Sequence, residues 1–163
     1  MLPLFLSAFL ILIDQITKVL IVHTIPLHTV GVSFWNGFLR IIHTRNIAIA
    51  FSLGRALPDQ VKTVLFILFP CILLGILLVY FIRTDELTNL QRWAVAGIIG
   101  GGFGNLIDRI FRPAGVVDFI DVRFYGIFGL ERWPTFNIAD ASVVVAGILL
   151  IVSFILEKDK ENE

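Results

Sequence analysis

Between Lys62 and Arg83 the chain runs from Thr63 to Ile82 without one charged side chain. About 20 apolar residues in a helix cross roughly 30 Å of hydrocarbon. Within lipid only a helix or a closed barrel satisfies its own backbone polar groups. This run is therefore read as a membrane-spanning helix. Pro70 in its middle is compatible with that, because a neighbouring helix or a local kink takes up the freed carbonyl. Three more segments read the same way: about 2–22, interrupted by Asp14 and Lys18, then about 92–110 and about 137–156. The first lacks a basic leading region and a small-residue cleavage site, so it is expected to be retained as a span. The expected fold is an all-α membrane protein in a single domain, 1–163, built as a four-transmembrane-helix bundle. Four spans put both termini and the Arg83–Arg92 loop on one side. The longer segments, about 23–61 and 111–136, share the other.

Composition agrees with this frame. The chain is 57% hydrophobic and 16% charged, where a soluble domain is roughly 45–50% apolar and about 25% charged. Thirteen basic and thirteen acidic residues balance, so no basic surface recommends nucleic acid. The single cysteine, Cys71, permits neither an intrachain disulfide nor a cysteine-based zinc site.

The third span carries Gly97, Gly100, Gly101, Gly102 and Gly104. Small residues four apart let helix backbones approach closely, so this helix is expected inside the bundle. Asn36-Gly37, between the apolar runs Val30–Trp35 and Phe38–His43, is a hairpin signal. A small antiparallel sheet is expected on the bilayer surface, with Trp35, and Trp133 beyond it, anchored at the interface.

Polar residues gather at one end of the spans. Asp14 and Lys18 lie one turn apart on the first helix, Asn105, Asp108 and Arg109 close the third, and Asn137 and Asp140 open the fourth. Arg45 and Asn46 precede the second span, and Asp118 falls in a short loop after the third. A carboxylate at membrane depth is costly and marks a functional site by default. Plainer readings stand beside this one. Asn137 and Asp140 have the spacing of a helix cap, Asp14 and Lys18 that of a neutralising i, i+4 pair. Asp108 and Arg109 fit an interfacial charge pair, and Asp121 a solvated neighbour of Asp118.

Two carboxyls sharing a proton work together as base and acid, since like charge and low dielectric push one pKa up. Such a pair hydrolyses a peptide without a metal or a covalent intermediate. The serines lack a Gly-x-Ser-x-Gly setting. His23, His28 and His43 have no metal-ligand spacing and read as surface histidines. No metal or other cofactor is expected.

Asp14-Gln-Ile-Thr-Lys18, Arg45-Asn46 with Ala50-Phe-Ser52, Gly104-Asn-Leu-Ile-Asp-Arg109, Val116-Val-Asp-Phe119 and Phe136-Asn-Ile-Ala-Asp140 occur in this order over most of the chain. Together they resemble the bacterial lipoprotein signal peptidase family, also called signal peptidase II. The resemblance implies an aspartyl endopeptidase of the cytoplasmic membrane. It would cut diacylglyceryl-modified prolipoproteins before the lipidated Cys of the lipobox. It casts Asp118 and Asp140 as the catalytic pair, with Asn46, Asn105, Arg109 and Asn137 as the polar shell and Asp14 and Lys18 in support. It also implies cytoplasmic termini, a site near the outer leaflet, contact with membrane lipid and inhibition by globomycin. The chain is expected to act as a monomer.

One run departs from the family pattern. Ile47-Ala48-Ile49-Ala50-Phe51 stands where Gly-Ala is usual at positions 48 and 49, in a loop expected to close over substrate. A different class of function also fits the aspartates, namely a proton-coupled transporter or channel subunit using them as a relay. Mid-membrane charges and inverted repeats, the marks of that class, are missing from the sequence.

Overall fold

The computed structural model describes residues 2–46 and 58–161. Helix α1 (Pro3–Thr24) leads into strands β1 (Val30–Phe34) and β2 (Leu39–Asn46). Helix α2 (Asp59–Thr63) continues through a π-helical stretch, Val64–Leu68, into α3 (Phe69–Arg83). Helix α4 (Asn89–Phe111), strands β3 (Val116–Ile127) and β4 (Leu130–Arg132) and helix α5 (Ile138–Glu161) complete the order. Four stretches are long and apolar enough to cross a membrane: Pro3–Thr24, Gln60–Arg83, Asn89–Phe111 and Ile138–Glu157. All four expected spans are present, each displaced by a few residues at most.

Pro70 sits in the first turn of α3, directly after the π-helical stretch, whose wider turns bond Phe69 N to Val64 O. A proline ring clashes with the carbonyl four residues earlier and offers no N–H. The wider turn ahead of it accommodates both defects without breaking the span.

Helix α4 is the buried one, as its glycines predict. Ala94, Val95, Ala96, Ile99 and Leu106 are buried along it, and Ser7 of α1 donates to Ala96 O at 2.6 Å. A side chain at Gly101 would run into the Ala139 carbonyl and Val143 of α5, and one at Gly104 into Asp14 of α1 and Ala139. These glycines let three helix backbones close around one point.

The sheet has four antiparallel strands in the order β1-β2-β3-β4. The expected hairpin is there, with Asn36 and Gly37 at positive φ between β1 and β2. Asp118, expected in a loop, instead lies in β3, opposite Thr44 of β2. Val116 through Phe119 are buried without a break, so the segment lacks the alternation that marks a half-buried strand. Its root packs on the last turn of α1, where Val117 and Phe119 meet Ile21 and Ile25. His43 is not a surface histidine. β2 tucks it beneath the end of α1, and its Nδ1 bonds Ile25 O at 2.8 Å. His23 and His28 are exposed, as expected. The run from Ile47 to Phe51, with its Ala48 and Ile49, and Ser52 beyond it lie outside the described residues.

Candidate active site

Helix α5 begins at the site, and its first turn is held by side chains from three elements. Asn137 caps it, accepting the Asp140 N–H at Oδ1 (2.9 Å), while Asp140 Oδ2 accepts the Asn137 N–H (3.2 Å). Asp14, reaching across from α1, accepts the Ala139 N–H at 3.0 Å. A helix start leaves such donors without intrahelical partners and favours negative charge. The capping reading of Asn137 and Asp140 is thus correct. It leaves Asp140 Oδ1 for other work.

That oxygen accepts from Asn105 Nδ2 of α4 at 2.7 Å. Asn105 Oδ1 in turn accepts from Asn137 Nδ2 at 3.0 Å, and the same Asn137 amide donates to Asp118 Oδ1 at 2.7 Å. Two asparagines therefore join the carboxyl of β3 to the carboxyl of α5. Asn46, at the end of β2, also hydrogen-bonds the Asp118 carboxyl. Burial and the nearby charge of Asp140 push Asp118 up to about 7, against the pull of Asn137, Asn46 and Lys18. Arg109 interacts electrostatically with Asp140, Asp118 and Asp108. The structure thus gathers Asp118, Asp140, Asn46, Asn105, Arg109 and Asn137 in one place.

Beneath this layer lies a fully buried ion cluster. Lys18 Nζ donates to Asp14 Oδ2 at 2.8 Å, to Asp108 Oδ2 at 3.2 Å and to Asn105 Oδ1 at 3.0 Å. An ammonium has three donors, and all three are used. The i, i+4 pairing of Asp14 with Lys18 is as expected. The pairing of Asp108 with Arg109 is not. Asp108 instead bonds Lys18, Arg112 and the Val117 N–H (3.0 Å). At i, i+4 Arg112 shares a face of α4 with Asp108, whereas an adjacent residue points elsewhere. Asp14, Lys18, Asp108 and Arg112 sum to zero charge, which makes their burial tolerable.

Two participants carry no assignment from the sequence. Gln15 Nε2 donates to Asp14, Asp108 and the Gly104 carbonyl, and its Oε1 accepts from Arg112 at 3.0 Å. The i, i+4 spacing of Asp108 and Arg112 is the one signal that could have found Arg112. Gln15 has none. Asp121 is also corrected. It is buried, with Arg40 at 2.6 Å and Arg132 at 2.7 Å on its carboxylate. The strand brings Arg40 opposite it, so Asp121 ties the sheet together and is no solvated neighbour.

Among the described residues no group of three His, Cys, Asp or Glu side chains is arranged to hold a metal. What the arrangement can do is acid–base chemistry at two carboxyls, one protonated near neutrality and one receiving N–H donors at both oxygens.

A protein-family model described as signal peptidase (SPase) II matches residues 6–156. The chain is 48% identical over 159 residues to the lipoprotein signal peptidase of Treponema pallidum, covering 98% of this chain and 85% of that protein. With the lipoprotein signal peptidase of Treponema denticola it shares 44% identity over 99% of this chain and 93% of the other. Among solved structures it resembles a bacterial membrane enzyme determined by the in meso method at 2.3 Å resolution. The TM-score is 0.80 at 31% identity, over 99% of this chain and 90% of that one. A second such structure, at 1.9 Å resolution, gives a TM-score of 0.76 at 30% identity, over 93% of this chain and 91% of that one.

Proposed function

This chain belongs to the signal peptidase II family, and from that premise we propose that it is an aspartyl endopeptidase whose catalytic pair is Asp118 and Asp140. Its substrates are prolipoproteins carrying a diacylglyceryl group, from which it removes the signal peptide by cutting before the lipidated Cys. The transport reading is dropped, because the matching relatives are peptidases over nearly the whole chain.

The observation that carries the assignment is the asparagine bridge, Asp118 to Asn137 to Asn105 to Asp140. It holds two carboxyls from different elements in fixed orientation, with Asp118 protonated up to about pH 7. Asp140 accepts N–H donors at both oxygens, the pattern that suits a carboxylate. In the first step Asp140 removes a proton from water as the water oxygen attacks the scissile carbonyl carbon. Asp118 gives its proton to the carbonyl oxygen, forming a neutral tetrahedral diol. In the second step the C–N bond breaks. Asp140 delivers its proton to the departing amine of the lipidated Cys, and Asp118 recovers one from the diol as the new carboxyl forms. Arg109 steadies the negative charge that the pair shares. Asn46 holds Asp118 from the β2 side.

On this reading the site works at the outer leaflet of the bacterial cytoplasmic membrane, with the sheet outside and both termini in the cytoplasm. The chain works there as one domain and a monomer. The substrate's acyl chains rest among membrane lipid against the spans, and globomycin competes for the same place.

Asp118→Asn and Asp140→Asn test the assignment, assayed on a lipidated prolipoprotein by gel. Losing one acid–base partner should cut turnover by roughly 10²–10⁴-fold, while each variant still folds in detergent. Turnover at the unsubstituted rate in Asp140→Asn would leave Asp140 a helix cap and nothing more.

A further inference from the structure

The part of the sheet farthest from the site ends in two tips, and both are aromatic. Between β1 and β2 stand Phe34, Trp35 and Phe38. Around the turn from β3 to β4 stand Tyr125, Ile127 and Phe128. Trp35 is 73% exposed and Phe128 88%. Phe38 stacks on Tyr125 with ring centres 6.3 Å apart, so the tips form one continuous aromatic surface. Soluble surfaces rarely expose so large an apolar patch without a partner for it.

The backbone adds a second, independent observation. Trp35, Tyr125 and Phe128 have φ of 49°, 55° and 52°, a region that disfavours bulky side chains and suits Gly or Asn. Glycine does occupy the neighbouring positions 37, 126 and 129. Large rings are thus kept at three places where the local fold favours small residues. Backbone strain of that kind accompanies a functional demand, and the ring contacts with Phe38 and Phe124 leave Tyr125 64% and Phe128 88% exposed.

The root of the sheet is tied to the end of a span. It packs on Ile21 and Ile25, in the last turn of a span and just past it, at the boundary between hydrocarbon and water. On the turns of α1 that lead to that point Ile16, Val19 and Leu20 are exposed apolar side chains. Tryptophan and tyrosine collect at this boundary because each has an apolar body and a polar edge. The charges near the tips are already matched, Arg123 on Glu131 and Arg132 on Asp121, so no anionic lipid is called for.

We propose that the two hairpin tips, through Trp35, Tyr125 and Phe128, insert into the lipid headgroup layer and form an anchor separate from the four spans. The occupant of the aromatic surface is the membrane that holds the bundle. The anchor rests on the membrane-spanning fold and does not depend on the peptidase chemistry.

The test uses the full chain in phosphatidylcholine vesicles. Trp93→Phe and Trp133→Phe together leave Trp35 as the sole tryptophan of three. Its emission should lose at least half its intensity when the lipid acyl chains carry bromine near the headgroup, and lose less when bromine lies at the chain ends. Aqueous iodide should quench it weakly. Adding Tyr125→Gly and Phe128→Gly should weaken the bromolipid quenching, while the melting temperature in detergent stays level or rises as the strain is relieved. Strong iodide quenching with none from bromolipid would overturn the proposal. So would bromolipid quenching that vanishes on dilution of protein in lipid, which would identify a second copy as the partner. A fall in melting temperature with unchanged quenching would make the rings part of the sheet's packing and likewise refute an anchor.

Discussion

Asp118 and Asp140 carry the same functional group in different company, and that difference makes a pH prediction. Asp118 is raised from 3.8 to about 7, first by burial and then by Asp140. Between those values the folded protein keeps a proton that the unfolded chain releases, so folding stability falls as pH rises from about 4 to about 7 and levels above that. A mechanism that needs Asp118 protonated loses activity over the upper end of the same range. The pH–rate profile of cleavage should therefore decline through about 7, and Asp118→Asn should flatten the pH dependence of the melting temperature while abolishing cleavage. A profile rising through pH 8 would reverse the roles given to the pair. Asp121 belongs to the same scale with a different outcome. Asp121→Asn leaves Arg40 and Arg132 facing a neutral amide, and because both arginines reach water the cost is below the roughly 3–5 kcal/mol of breaking a fully buried pair. It should lower the melting temperature of the fold while substrate binding by the remaining folded protein persists. The aspartates were legible as a set, because acids at span ends are rare enough to stand out. Their partners were less so: Asp121 looked solvated because its arginines lie 81 and 11 residues away in sequence.

Among the elements, the spans were legible and β3 was not, for one physical reason. A span announces itself by length and apolarity, needing no partner to be recognised. β3 is buried by the end of α1 and by β2 at once, and its two aspartates are satisfied only in the folded molecule, so neither alternation nor a clean apolar run marks it. The glycines of α4 announced a close contact without naming the partner; the structure supplies Ala139 for Gly101 and Ser7 for Gly100. Gly101→Ala should force α4 and α5 apart beside Asn105 and Asp140, with overpacking of this kind costing about 1–3 kcal/mol. Gly75→Ala is the matching control. No atom lies within 4 Å of a Cβ there, and alanine favours the helix by roughly 1 kcal/mol over glycine. Thermal unfolding in detergent should separate the two, Gly101→Ala falling and Gly75→Ala holding or rising. Equal shifts would mean that α4 and α5 can part without loss.

At the scale of the whole molecule, the arginines outside the spans tie segments together. Arg40 and Arg132 sit on Asp121, Arg123 on Glu131 and Arg112 on Asp108. What the assembled molecule does show is a site at the end of its spans, where Asp118 stands in a strand rooted on the last turn of α1. Under the proposed function, a substrate tethered by two acyl chains in the same membrane would meet that site already confined to its plane. Each methylene kept in an apolar environment is worth about 0.8 kcal/mol, so the chains can supply most of the binding while the peptide crosses the carboxyl pair. Their removal should act on KM far more than on kcat, since the reacting bond and the pair are unchanged. Reconstituted protein should therefore cleave an unlipidated precursor at least roughly 10²-fold less efficiently in kcat/KM than its lipidated form, a loss that only a few methylenes would account for. Gel assays of both precursors over a concentration series would decide it. Equal kcat/KM would place recognition in the peptide and leave the acyl chains as passengers.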